Sequence, residues 1–255
     1  LQLVDNHVDP MHTSYLHTQV QPWTGEQSCD YIRTPWGVMS MQLRKGPRPE
    51  TSYLRETHYF VPSGLKVCIP AIEKEDFTSP ATRRFVWVVP VDDTNSIEWE
   101  VIFAPDHADG SPSHVNYVAD ANLYDIDTPR PYQQYVCPGK SGHVQYEHGG
   151  ATGATVILRQ DTLVQASQGP IQEREHEHLG SSDKGVIMLR AVVKESIDAV
   201  AQGRDPRGVL RDPVHNQRVP IESVDLIIAQ QEVARVLSCG GLYAARGAEV
   251  PSAER

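Results

Sequence analysis

"RFVWVVPVDDTNSIEWEVIF", residues 84–103, is two runs of β-branched and aromatic residues around a short polar break. In the second run Ile97, Trp99, Val101 and Phe103 alternate with Glu98 and Glu100. A period of two puts the apolar side chains on one face of a strand and the carboxylates on the other. "DDTN", Asp92–Asn95, consists of residue types that close turns with their own side chains. The stretch predicts an antiparallel hairpin, part of a sheet with one solvated face.

The pattern extends upstream. "WGVMSMQLR" (36–44), "YLRETHYFV" (53–61) and "LKVCIP" (65–70) read as strands bounded by Gly, Pro or Ser. In the first, Val38, Ser40 and Gln42 alternate with Met39, Met41 and Leu43. Downstream, residues 104–153 lose all periodicity and are rich in Pro, Gly, His, Asp and Asn. A stretch of that length without regular structure is usually functional or disordered. "TVILRQ" (155–160) reads as one more strand, ending at Asp161.

Two helices are predicted to close the chain. In "SDKGVIMLRAVVKESIDAVAQG" (182–203), Val186, Leu189, Val193, Ile197 and Val200 form one apolar stripe, with Ser182 as N-cap and Gly203 as the stop. "ESVDLIIAQQEVARVL" (222–237) reads as the second, ended by Gly240 and Gly241. The fold class expected is α+β, an antiparallel sheet with helices packed on one face. Residues 1–245 are expected to form the domain and 246–255 a flexible tail.

The 255 residues carry a net charge of −10 and no long Lys/Arg block, so no nucleic-acid footprint is expected. No apolar run is long enough for a membrane span. Cys29, Cys68, Cys137 and Cys239 are too scattered for a Cys-built cluster, and free thiols in the cytoplasm are expected.

The remaining signal is "LQLVDNHVDPMHTSYLH" (1–17), with Asn6, Asp9, His12 and His17. Asp9-Pro10 suits a helix start. The two histidines are five apart, about 140° around an ideal helix, which is poor for chelation unless the helix distorts. On residue types alone these positions read equally as a cap, a turn residue and ordinary histidines. "EREHEH" (173–178) reads as a solvated charged run rather than a metal site.

The order N-x-x-D-x-x-H-x-x-x-x-H after "LQLV" resembles the start of the catalytic domain of Rieske non-haem iron aromatic-ring oxygenases. "DTLVQASQGPIQEREHEHLGSSDKGVIMLR" (161–190) and "GRDPRGVLRD" (203–212) are similar to the late segment of that family's phthalate-dioxygenase and aryl O-demethylase branch. The resemblance implies a helix-grip fold, of the kind seen in Bet v1 and START domains. It implies Fe(II) on His12, His17 and Asp161, a facial triad of two imidazoles and one carboxylate. Rival carboxylates for the third position are Asp106, Asp109, Asp120, Asp125, Asp127 and Glu147. Asp9 would accept the free N–H of a ligating imidazole, and Asn6 would lie near the iron without binding it; His7 has no role in the motif.

The resemblance further implies a homotrimer. Its electrons would come from NAD(P)H through a reductase and a [2Fe-2S] Rieske cluster, expected on a domain or partner that this chain lacks. The substrates would be O2 and a small aromatic compound, an aromatic acid or a methoxyarene. Arg33 and Arg55 are candidates for its carboxylate, and each also reads as a surface residue. His107, His114, His143 and His148 are candidates to line the cavity. The alternatives are a non-catalytic module that binds apolar ligands, and a zinc hydrolase using the same histidines.

Overall fold

The computed structural model describes residues 1–17, 27–46, 48–69, 82–103, 137–138, 144–145, 160–161, 163–214, 216, 221 and 223–241. For residues 68–69, 82–83, 102–103, 137–138 and 144–145 it describes the backbone alone. Two short helices, α1 (Gln2–Val8) and α2 (His12–Leu16), lead into the strands β1 (Gln27–Thr34), β2 (Gly37–Lys45), β3 (Thr51–Phe60), β4 (Gly64–Ile69), β5 (Thr82–Pro90) and β6 (Ser96–Phe103). A two-residue pair, β7 (Cys137–Pro138) with β8 (Val144–Gln145), stands apart. Helical residues 160–161 and 163–167 make up α3. Then come α4 (Lys184–Ala201), β9 (Val224–Ala229) and α5 (Val233–Ser238).

The main sheet runs β1-β2-β3-β4-β5-β6, all antiparallel. Strand β3 pairs along its other edge with β9 over Thr51–Glu56 and with β4 over His58–Phe60, so two strands share one edge end to end. The hairpin expected at 84–103 is present, closed by Asp92 Oδ1, which accepts the N–H groups of Thr94 and Asn95 at 2.8 Å. Those bonds hold the Asp92 carboxyl down at about 2. Between β1 and β2 the chain turns tightly at Gly37, where a Cβ would come within 2.1 Å of the Tyr59 carbonyl oxygen.

Several expectations are corrected. Residues 224–229, read as helix, form strand β9, because the β-branched run of Val224, Ile227 and Ile228 fits the free edge of β3. Helix α5 covers only the end of the stretch read as helix, from Val233, and runs on to Ser238. The end of "TVILRQ" is not strand: Gln160 and Asp161 are helical, while 155–159 lie outside the described residues. The α4 stripe is also rotated from the one expected. Its buried residues are Gly185, Val186, Leu189, Val192, Ser196 and Ala199, whereas Ile197 and Val200 are exposed. Small residues let the helix approach the sheet closely: a Cβ on Gly185 would stand 2.2 Å from the Tyr31 ring. Gly203 ends α4 at φ +70° as expected, but a 3-10 turn (Ser181–Asp183) rather than a Ser182 cap begins it. Strand β1 escaped the sequence reading, since Gln27, Ser28, Asp30 and Arg33 hide its pattern.

Helices α1 and α4 pack on one face of the sheet, which we call the inner face. There Val4, Val8, Tyr31, Val38, Tyr59, Leu65, Val86, Val88, Val186, Leu189 and Val192 make the main core. Helix α5 covers part of the opposite face against Leu43 and Leu54. Strand β2 is therefore buried on both faces from Gly37 to Arg44, not solvated on one.

Candidate metal centre

Helix α1 is fixed from three directions. Val4 and Val8 are buried in the core, and the Tyr59 hydroxyl donates to the His7 carbonyl at 2.7 Å. The Arg190 guanidinium of α4 donates to both Asp5 oxygens at 2.8 and 3.1 Å and to Glu177 at 2.6 and 2.8 Å. This holds the Glu177 carboxyl below the usual range. Arg174 joins at 3.1 Å from Asp5. The "EREHEH" run thus supplies clamp residues; its His176 pairs only with exposed Glu173. Gln2 reaches the Gly169 carbonyl at 3.1 Å, tying α1 to the segment that follows α3.

After α1 the chain turns at Asp9. Its carboxylate accepts the N–H groups of Met11 (2.8 Å) and His12 (3.1 Å), capping α2. The His12 ring Nδ1 makes a short contact with the Asp9 backbone carbonyl, and the carboxylate lies 3.7 Å from the same nitrogen. The imidazole N–H therefore goes to the Asp9 main chain, and the carboxylate acts mainly as a cap with its charge close by. The tight five-residue helix ends at Leu16, and His17 sits just past it at φ −102°, ψ 18°. Leaving helical geometry at that residue brings the two imidazoles together despite their spacing. Their centroids are 5.2 Å apart and their planes 82° from parallel.

Asp161 enters from α3. One of its oxygens, Oδ1, lies 3.2 Å from His17 Nε2 and 3.6 Å from His12 Nε2. That oxygen is buried and makes no properly aligned hydrogen bond among the described residues. One ligand atom from each of the three residues lies within 4.8 Å of the others. Its neighbour Gln160, fully buried, presents Oε1 to His17 Nδ1 at 2.8 Å. Both Nδ1 atoms are thus engaged by acceptors, which leaves both Nε2 atoms to face the Asp161 carboxylate. Ligands about 2.1 Å from one ion and at right angles stand about 3 Å apart, so the donor set fits a metal ion with little movement. Burial pushes the His12 imidazolium down, but Asp9 and Asp161 outweigh it and hold it above its ordinary value. Burial pushes the Asp161 carboxyl up, and the two imidazoles with Asn6 more than reverse that.

The sequence-derived candidates separate here. Asn6, Asp9, His12, His17 and Asp161 converge. Arg33 is on the surface, bound to Glu195 of α4 at 2.7 Å. Arg55 is half-buried, 3.0 Å from Asp225 and 2.9 Å from the Tyr53 hydroxyl. The rival carboxylates and the four loop histidines lie outside the described residues, as does the tail from 246. Gln160 was missed, because it sits in a run read as strand. His7 was set aside, yet its Nε2 lies 3.3 Å from Glu98 of β6. Burial raises the Glu98 carboxyl, and His7 and Arg84 overcome this to hold it low. No helix among the described residues is long and apolar enough to cross a membrane.

An antiparallel sheet gripped by a long helix, with two imidazoles and a carboxylate converging beside it, defines a candidate mononuclear metal protein of α+β class. Residues 25–250 match the family described as "LigXa C-terminal domain like", and the chain belongs to that family. The match begins after the His12–His17 pair. Among curated proteins, the chain is 28% identical over 118 residues to the 5,5'-dehydrodivanillate O-demethylase oxygenase subunit of a Sphingobium species, covering 46% of this chain and 28% of that one. It is 26% identical over 238 residues to the tert-butanol monooxygenase / tert-amyl alcohol desaturase oxygenase subunit of Aquincola tertiaricarbonis, covering 86% of this chain and 47% of that one. The matched region is less than half the length of either relative. Both are oxygenase subunits, in line with the oxygenase resemblance of the sequence.

Proposed function

We propose that His12, His17 and Asp161 hold one Fe(II), and that residues 1–245 are the catalytic domain of an oxidoreductase that inserts oxygen into a small aromatic molecule. The observation that carries this is Asp161 Oδ1, a buried carboxylate oxygen between two Nε2 atoms and without an aligned hydrogen bond among the described residues. The bound Fe(II) would supply a site where O2 is reduced beside the substrate. Asp161 offsets part of the metal's charge. Gln160 and the Asp9 carbonyl fix both imidazole tautomers, so that each presents Nε2 as a neutral donor. Asn6 steadies the Asp161 carboxylate. Electrons would arrive from NAD(P)H through a reductase and a [2Fe-2S] Rieske cluster on other domains or chains, within a cytoplasmic homotrimer.

The first relative named above is an O-demethylase oxygenase subunit and the second, matched over more of this chain, a tertiary-alcohol one; O-demethylation of an aromatic acid follows the first and the aryl O-demethylase resemblance of residues 161–190. The test bypasses electron delivery. The chain is loaded anaerobically with Fe(II) and given hydrogen peroxide and 4-methoxybenzoate. O-demethylation consumes one peroxide per methoxy group and releases 4-hydroxybenzoate, formaldehyde and water; ring attack gives a hydroxylated methoxybenzoate. Either product with Fe(II), and neither with Zn(II) or with Asp161→Ala, is the expected result. No oxygenated product from this or a neutral methoxyarene, with iron bound, would overturn the oxygenase assignment.

A further inference from the structure

The inner face of the sheet carries a buried cation without a counter-ion among the described residues. Arg44 is 5% exposed, and no carboxylate pairs with it among the described residues. Its Nε donates to Gln27 Oε1 at 3.0 Å and its Nη2 to Thr13 Oγ1 at 2.6 Å; Nη1 has no partner among the described residues. These partners are neutral: Thr13 lies in α2 beside His12, and Gln27 is the first residue of β1. Thr13 follows His12 in sequence and donates to the Pro10 carbonyl at 2.7 Å. Gln27 donates to that same carbonyl at 2.9 Å, and Gln42 at 3.3 Å. Arg44 is thus wired by hydrogen bonds to the backbone beside the candidate metal centre.

The strand register adds a second cation. Arg44 pairs across β2 and β3 with Tyr53, and Gln42 with Arg55, so both guanidinium groups project from one face. Arg55 has a counter-ion in Asp225. Among the described residues, two cations and one carboxylate leave this end of the face one positive charge in excess. Burial, then the like charge of Arg55, draws Arg44 down to about 10. A buried cation is costly unless it is paired. A chain of net charge −10 also repels anions at long range, so an anionic substrate needs a local positive group to hold it.

We propose that Arg44, backed by Arg55, receives the carboxylate of the substrate and makes the site selective for aromatic acids over neutral arenes. This rests on the oxygenase reading and names its substrate class. The guanidinium would accept the anion through its remaining donor edge, with Gln27 and Thr13 holding its plane.

The test is equilibrium binding by calorimetry to the Fe(II)-loaded chain under argon. The matched probes are 4-methoxybenzoate and its methyl ester, which differ in the charge. Wild type should prefer the acid. Arg44→Gln should lose roughly 10- to 100-fold in affinity for the acid, as expected for a charge-assisted hydrogen bond, and less than threefold for the ester. Arg44→Lys should fall between, and it keeps the test valid if the Gln variant fails to fold. Equal losses for acid and ester, unchanged affinity for both, or a wild type that prefers the ester or binds neither would each overturn the proposal and leave Arg44 a structural cation. Iron content and peroxide-driven turnover are read on the same samples. If they stay intact while the acid preference does not depend on Arg44, only this proposal fails. If Arg44 governs acid binding but no iron binds, the oxygenase reading fails instead.

Discussion

The two ends of the inner face use polarity in opposite ways. At the β1–β3 end, Gln27 and Gln42 bond to the Pro10 carbonyl and Arg44 to Thr13, and among the described residues Arg44, Arg55 and Asp225 leave one excess positive charge. At the β5–β6 end, Glu98 and Glu100 point inward with Arg84 and His7 as partners. There the apolar alternates are turned outward: Trp87, Val89, Ile97, Trp99 and Val101 are 43–61% exposed. In both places the polar side chains take the sheltered face. The simple rule of apolar inside and polar outside is reversed where a sheet lines a site instead of a core. The main apolar core lies beneath α1 and α4, with smaller clusters under α5 on the opposite face.

That division predicts a ranking of mutational effects. Leu189→Ala removes a side chain from the strip where α4 meets the sheet, where it is 1% exposed. It should cost about 2–5 kcal/mol in denaturant unfolding, the largest effect expected. Gly185→Ala comes next and has a counter-intuitive sign. In an exposed helix the change stabilises by about 1 kcal/mol. Here the new Cβ meets the Tyr31 ring at 2.2 Å, and a loss of about 1–3 kcal/mol is expected. A gain in melting temperature would show that α4 does not sit so close.

Gln160→Leu keeps the fold but leaves the His17 N–H without its acceptor. Fe(II) affinity measured with a competing chelator should fall roughly 10- to 100-fold, the usual effect of losing such a partner. Gln160→Glu, which retains the acceptor, should restore most of it. The Arg190 clamp is smaller, about 1 kcal/mol for Arg190→Gln, and it carries a pH signature. Arg190 holds the Glu177 carboxyl below its ordinary value near about 4.3. The clamp's contribution is therefore complete above that value and is lost as pH falls through the lower, folded one. The difference in stability between wild type and Arg190→Gln should be constant from pH 5 to 7 and shrink toward pH 3. On the outer face Trp99→Ser should change stability by less than about 0.5 kcal/mol, despite removing a tryptophan.

The strands from 36 to 103 were legible because alternation survives even when the polar side faces inward; what alternation does not reveal is which side is in. Glu98 and Glu100 look solvated in the sequence and are sheltered in the fold, because only the tertiary partners Arg84 and His7 make that tolerable. Residues 224–229 misled because a run of Val and Ile satisfies a buried helix and a strand alike, and the free edge of β3 decided between them. At the candidate site His12, His17 and Asp161 were readable through the resemblance to a family. Their spacing alone did not suffice, since the helix end at His17 that brings the rings together is a local backbone event. Gln160 and Arg44 carried no signal, because their meaning lies in which hydrogen bonds they make across the fold.

The central claim is that two imidazoles and one carboxylate form a single iron site. The direct measurement is metal content after anaerobic loading with Fe(II) and desalting, for wild type and for His12→Ala, His17→Ala and Asp161→Ala, with circular dichroism showing each variant folded. The account predicts about one Fe(II) per chain for wild type, as one facial triad requires, and nearly none for each variant. Full occupancy in folded Asp161→Ala would contradict it and place the carboxylate ligand elsewhere in the chain.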